Sequence, residues 1–146
     1  MVKHRNTLSQ HEATYLITLL KMRGLRRTGT SALAAKFGVK ESSVVDVIKR
    51  LEEKGLLVRD PWRSIILTRR GEMLAEQLIH NHRVIETYLH RVLKISAALA
   101  CNEAQKLDNL LDRRTITSMC HALNYPDTCI HGEEIKHYKW CRSPII

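Results

Sequence analysis

His82 and Glu86 lie four residues apart in the segment LIHNHRVIETYL. On a helix this spacing puts an imidazole and a carboxylate on one face, a donor pair that suits Fe²⁺, Mn²⁺ or Zn²⁺. Standing alone, such a pair reads equally well as a surface hydrogen bond. The softer donors are concentrated in the same half of the chain. All four cysteines (Cys101, Cys120, Cys129, Cys141) and six of the eight histidines follow residue 79. Cys129 and His131 flank Ile130 in a stretch that reads as a loop, and Cys120, His121 and Cys141 are further candidates. Zinc, an iron–sulfur cluster and a thiol redox response are all open to such residues. No Cys-x-x-Cys pair is present, so spacing indicates none of them specifically. No motif pairs a nucleophile with a base or sets a general base beside an open metal position, so the chain does not read as an enzyme.

The elements that would position these residues follow from hydrophobic period and punctuation. Ser9 caps a first helix, with Glu12 as its capping-box partner, and Tyr15, Leu16, Leu19, Leu20 and Met22 recur at helical spacing up to Gly24. Thr30 or Ser31 caps a short second helix that Gly38 closes, and Lys40 or Ser42 opens a third, with Val44, Val47, Ile48 and Leu51 on its buried face, up to Gly55. Leu56–Val58, the turn Asp60-Pro61-Trp62-Arg63 and Ser64–Leu67 then read as a two-stranded wing. Thr68 caps a long helix from about Arg70 to Leu93, striped by Leu74, Leu78, Ile85, Leu89 and Val92. Two more helices follow, about Ser96–Leu111 and about Arg114 to just before Pro126, and then an irregular tail. The fold class is mainly α: a winged helix-turn-helix over residues 1–70, then a helical dimerisation and metal-sensing domain over 71–146. Three-four spacing lets the long helix's stripe serve a second copy of the chain as well as its own core, so a homodimer is expected.

Charge divides the chain at the same place. Residues 1–70 hold fifteen Lys/Arg against six acids, and residues 71–146 hold nine of each, so the whole net charge of +9 lies in the first part. A basic head on a neutral body is what a polyanion-binding module with a separate assembly segment looks like. In the helix-turn-helix, Lys40, Glu41, Ser42 and Ser43 open the recognition helix, with Asp46 and Lys49 one and two turns on. These are the positions from which such a helix reaches base edges in the major groove. Arg26, Arg27 and Arg63 suit phosphate. Each serine taken singly could simply cap a helix; the block followed by a wing favours contact with duplex DNA over structured RNA. No apolar run is long enough to span a bilayer, residues 1–12 lack a signal peptide's apolar stretch, and a cytoplasmic location with reduced thiols is expected.

SALAAKFGVKESSVVDVIKRLEEKGLL, RDPWRSIILTRRG, LTRRGEMLAEQLIHNHRVIETYL and ALNYPDTCIHGEEI, in this order, resemble the metal-dependent repressors of the diphtheria-toxin-repressor and manganese-regulator family, in the short form without an SH3-like domain. The resemblance implies a homodimer on a two-fold operator, with a divalent metal as co-repressor in metal homeostasis. It puts His82 and Glu86 on ligand positions of the family's first metal site and Cys101 where histidine is usual. Cys129 or His131, returning from the tail, would complete that site. The thiolate shifts the expected metal toward Fe²⁺ or Zn²⁺ and away from Mn²⁺. The family's second site would draw on Thr14, Ile17, Gln105, Asp108 and Asn109, of which Asp108 alone is a strong ligand. That poverty leaves room for a metal-independent or thiol-responsive winged-helix regulator.

Overall fold

A computed structural model describes residues 8–24, 28–62 and 64–142. Arg26, Arg27 and Arg63 lie outside the described residues. Elements run α1 (Gln10–Lys21), α2 (Thr30–Phe37), α3 (Glu41–Glu53), β1 (Leu57–Arg59), β2 (Ile65–Leu67), α4 (Arg69–Leu93), α5 (Ala97–Leu107), α6 (Arg113–Ala122) and a 3₁₀ turn, Lys139–Arg142. The chain divides into two compact units, residues 1–76 and 77–146. No helix among the described residues is long and apolar enough to cross a membrane.

The first unit is a three-helix cluster with a wing. Leu16, Leu33, Val44, Ile48, Leu51 and Leu57 are its largest fully buried side chains, and Tyr15 stacks on Phe37 with centroids 4.4 Å apart. Gly38 takes a left-handed φ of 64° as the C-cap of α2, a conformation that a side chain at this position would strain, and this turns the chain into α3. The strands pair antiparallel, Leu57 opposite Leu67 and Arg59 opposite Ile65. At the tip, Asp60 Oδ1 accepts from the backbone N–H groups of Trp62 and Ser64, which closes the turn and leaves Trp62 exposed.

Several caps differ from the expectation. Ser9 does accept from the Glu12 N–H, but the Glu12 carboxylate turns to Lys54 and Arg50 instead of back to Ser9. With Lys54 in contact, the buried acid ties α1 to the end of α3. Gly29, not Thr30 or Ser31, is the N-cap of α2. Of the two residues expected to open α3, Lys40 is the N-cap; Ser42 and Ser43 sit inside the helix, and neither caps it.

Thr68 joins the wing to α4. Its hydroxyl donates to the Gly55 carbonyl and accepts from the Gly71 N–H, while its own N–H bonds to the Leu56 carbonyl. This presses the first turn of α4 against the backbone at Leu56. A Cβ added at Gly71 would lie 1.9 Å from the Leu56 carbonyl oxygen, and a rigid backbone atom cannot move aside as a side-chain tip can. Gly71→Ala is therefore expected to cost at least the upper part of the overpacking range of about 1–3 kcal/mol. Chemical denaturation would show it, and an unchanged midpoint would mean that α4 does not pack here.

In the second unit Val84, Ile85, Ala104, Ile116, Cys120, Cys129 and Ile135 form the core, with Leu89, Leu107, Leu111, Met119 and Tyr125 packed around it. Leu78 is also buried. Most of the stripe read from the sequence is thus consumed by the chain's own packing. The apolar side chains left exposed near the end of α4 and the start of α5 are Val92, Leu93 and Leu99.

Helix α5 stops at Leu107, four residues before its expected end. The last turn tightens, with the Leu110 N–H bonding to the Leu107 carbonyl instead of that of Lys106, and Asn81 Nδ2 holds the Asp108 carbonyl at 2.9 Å. Asp112 turns extended and caps α6 through its side chain.

Candidate metal centre

Glu86 is the centre of this site, and its carboxylate is almost wholly buried. One turn earlier on α4, His82 brings Nε2 to 3.3 Å from Glu86 Oε2. Cys101 enters from α5, where Ala100 and Ala104 are fully buried and let the helix approach closely; its Sγ lies 3.6 Å from His82 Nε2. Cys129 and His131 come from a tight turn in the tail. There Cys129 N–H donates to the Glu133 carbonyl, Gly132 N–H to the Cys129 carbonyl, and Gly132 adopts a φ of 77°. Arg83 holds this turn on α4 through Glu133 Oε2 at 3.0 Å and the Glu134 carbonyl at 2.6 Å. As a result His131 Nδ1 lies 3.3 Å from Glu86 Oε2.

The five residues read as donors therefore converge, in two overlapping groups. His82, Glu86 and Cys101 have donor atoms within 4.8 Å of one another, as do Glu86, Cys129 and His131. Glu86 belongs to both. His121, by contrast, is exposed and pairs with the Tyr125 hydroxyl, away from this cluster.

A sixth residue was not placed here by sequence reasoning. Asp108, read only as a remnant of another site, is buried, with Oδ2 3.6 Å from His82 Nδ1. A carboxylate behind one ring nitrogen fixes the tautomer that turns the other nitrogen toward the donors, the usual arrangement behind a metal-binding histidine. Asp108 follows α5 directly and nothing in its spacing marks it; only the turn held by Asn81 brings it behind His82.

The donors fit a cation. Glu86 Oε2 is buried and makes no well-directed hydrogen bond, although two imidazole nitrogens stand 3.3 Å away. A buried oxygen without a directed donor is costly, and a positive ion among these atoms would satisfy it. Without one, His82 takes that part as an imidazolium. Burial would lower its pKa, but the Asp108 and Glu86 carboxylates beside its two ring nitrogens outweigh this and push it up to about 10. Burial would likewise raise Glu86; the close His82 imidazolium and the Cys129 thiol bring it down to about 2.

These shifts set a pH profile for the metal-free protein. With His82 raised from 6.5, its stabilising contribution is complete below 6.5 and is lost as pH rises through about 10. His80, elsewhere on α4, is lowered from 6.5 to about 4, first by burial, so its contribution is lost as pH falls from 6.5. Glu86 adds a further loss on the acid side, from 4.5 toward 2. Thermal melts of chelator-treated protein should therefore peak near pH 6.5. A maximum above pH 8 would contradict the His82–Glu86 ion pair.

Comparison with known proteins agrees with both halves. Residues 68–137 match the family model "Iron dependent repressor, metal binding and dimerisation domain", and residues 7–61 match the MarR family model. The transcriptional regulator MntR of Escherichia coli O6:H1 is 33% identical over 84 residues, 58% of this chain and 54% of that protein. The chain thus spans about half the length of that curated relative. The crystal structure of a hypothetical protein from Sulfolobus solfataricus superposes with a TM-score of 0.76 and 30% identity, over 89% of this chain and all of that one. The manganese regulator SloR gives a TM-score of 0.78 at 26% identity, over 92% of this chain and 62% of that one. With a winged helix-turn-helix in front and a segment behind that matches an iron-dependent-repressor metal-binding and dimerisation model, the chain is similar in both halves to the diphtheria-toxin-repressor and manganese-regulator family.

Proposed function

We propose that this protein is a homodimeric, cytoplasmic repressor that binds a two-fold DNA operator in response to a divalent metal and controls metal homeostasis. The observation that carries the reading is the buried Glu86, shared by two donor groups inside the segment that matches a metal-binding and dimerisation model. His82, Glu86 and Cys101 would hold the ion, with Cys129 and His131 completing the set and Asp108 orienting His82. A bound divalent cation supplies charge that ties α4, α5 and the 129–131 turn to one point. Arg83 already holds that turn in place, so the donors need little rearrangement.

Two similar solved structures are titled for manganese, the manganese regulator SloR and a manganese-dependent transcriptional repressor. This donor set differs in kind, because Cys101 and Cys129 offer thiolates, which prefer Fe²⁺ and Zn²⁺ to Mn²⁺. We infer Fe²⁺ or Zn²⁺ as the effector, with iron the reading for homeostasis.

In the head, Lys40, Ser42, Ser43, Asp46 and Lys49 are all exposed on α3, and they are the residues we assign to the major groove. Glu41 accepts from Ser31 at 2.8 Å, which ties α2 to α3, so its role is to hold the helix pair as much as to meet a base. The dimer would use Val92, Leu93 and Leu99. Leu93→Asp combined with Leu99→Asp should convert dimer to monomer at micromolar concentration in sedimentation; a dimer that persists would place the interface elsewhere.

The direct test is binding of promoter duplex by protein purified without oxygen, with Fe²⁺, Zn²⁺, Mn²⁺ or chelator. We expect tight binding with Fe²⁺ or Zn²⁺ and at least tenfold weaker binding with chelator. Equal binding in all four conditions would reject metal control, and no binding to any duplex would reject the repressor reading.

A further inference from the structure

His80 stands two residues before His82 on α4, so it points from a different face of the helix. Its partners are other than those of Glu86. His80 Nε2 lies 3.4 Å from Cys141 Sγ, and His137 Nδ1 lies 3.5 Å from Cys120 Sγ. His80, His137 and Cys141 have donor atoms within 4.8 Å of one another. Cys120 reaches the group from α6 and shares a hydrogen bond with Cys141. Both cysteines are fully buried and His80 nearly so.

We propose that His80, Cys120, His137 and Cys141 form a structural Cys₂His₂ zinc site, separate from the centre around Glu86.

Three features carry it. The first is orientation of the rings. His80 Nδ1 lies 2.8 Å from the Lys136 carbonyl and His137 Nε2 lies 2.8 Å from the Pro126 carbonyl. A carbonyl only accepts, so each of these nitrogens carries the hydrogen, and in the neutral ring the other nitrogen turns a lone pair toward a sulfur. Histidines that bind metal are held in this way.

The second is spacing. Tetrahedral zinc, with bonds of about 2.3 Å to sulfur and about 2.0–2.1 Å to nitrogen, sets neighbouring S and N ligands about 3.5 Å apart. The structure has 3.4 and 3.5 Å. Two thiolates with two imidazoles in a closed shell are zinc's donor set.

The third is the shell around the donors. Tyr138 N–H points at Cys141 Sγ at 3.4 Å, which supports negative charge on that sulfur. Trp140 and Tyr138 stack on each other and meet the His80 ring edge-on, with centroids 5.0 and 5.7 Å away, which shields it from water.

The site would have a specific effect. Cys120 precedes the 129–131 turn and His137 follows it, so zinc would clamp both sides of the turn that brings Cys129 and His131 to Glu86. The sequence alone did not separate these four residues: Cys120 and Cys141 stood out as cysteines, but no spacing linked them to His80 or His137.

Two thiol–imidazole hydrogen bonds would place the same atoms without a metal, and cobalt distinguishes the cases. The test uses the full chain, metal-free and without oxygen, in a Cys101→Ser/Cys129→Ser background that removes the other thiolates. One equivalent of Co²⁺ should produce tetrahedral visible bands and thiolate-to-cobalt absorption in the near ultraviolet, and one equivalent of Zn²⁺ should abolish both. Adding Cys141→Ser should roughly halve the near-ultraviolet band, and Cys120→Ser with Cys141→Ser should remove it. His137→Ala should weaken Co²⁺ binding at least tenfold. A His82→Ala/Glu86→Ala background should give the same bands with the same losses and serves if the first fails to fold. Folded background protein with no thiolate–cobalt absorption would overturn the proposal. So would absorption that survives loss of both Cys120 and Cys141, or a Cys120–Cys141 disulfide in place of bound metal under reducing conditions.

Discussion

Glu86→Ala should lower metal affinity by at least 100-fold at the Glu86 centre, more than any other single change there. The carboxylate is common to both donor groups, so its loss removes a ligand from each. Exposure ranks the others. Cys129 is buried, whereas the His131 side chain is 46% exposed and has freedom to be replaced by water. His131→Ala should therefore cost less than Cys129→Ser. Asp108→Asn should fall between, at about 10–100-fold, because it acts on His82 from behind and not on the ion. Competition against a fluorescent chelator measures all four. Affinity of Glu86→Ala within threefold of the parent would show that the donors bind no ion together. A drop for Asp108→Asn larger than that for Glu86→Ala would instead make Asp108 a ligand. Duplex binding should follow metal affinity in this series, which separates loss of the effector from damage to the head.

Much of the scaffold was legible because local chemistry set it. Gly38 and Gly55 take left-handed φ values where helices were expected to end, and Thr68 caps α4 where expected. The wing was visible as two β-branched and leucine runs around Asp60-Pro61. Errors fell where a distant partner overrode a local preference. Glu12 has the spacing of a capping box, but Lys54 and Arg50, about forty residues away, take its carboxylate. Helix α5 has helix-forming residues to Leu111, but its last turn tightens onto the Leu107 carbonyl and Asn81 holds the Asp108 carbonyl just beyond it. The site shows the same division. His82 and Glu86 share a helix face by spacing alone, Cys101 came from family resemblance, and Cys129 and His131 from a tail long enough to fold back. Asp108, His80 and His137 depend on which turns and tails return to α4, and periodicity does not encode that.

Duplex binding should lose about 10³–10⁵ in affinity between 50 and 200 mM salt, the loss expected for about six to ten phosphate contacts. The excess of nine positive charges lies wholly in residues 1–70, and a dimer presents it twice. Not every cation is equally available. Arg50 and Lys54 are committed to Glu12, Arg59 to Glu52 and Arg23 to Glu72. Lys40, the N-cap of α3, and Lys49 on α3 are exposed and pair with no acid among the described residues. An exposed ammonium that breaks no internal ion pair can neutralise a phosphate and release its condensed counterion, so Lys49→Ala should reduce the salt slope by about one per half-site and weaken all sequences alike if it meets phosphate. Ser42→Ala and Ser43→Ala should leave the slope unchanged, since they carry no charge. Being exposed in the first turn of α3 and not used as caps, they are free to meet base edges, and their loss should alter preference among operator variants by about 1–3 kcal/mol per lost contact. Anisotropy titrations over a salt series, on an operator and its single-base variants, read both quantities. A salt slope changed by the serine variants, with base preference intact, would turn α3 away from the groove and leave the wing and the exposed Trp62 as the reading surface.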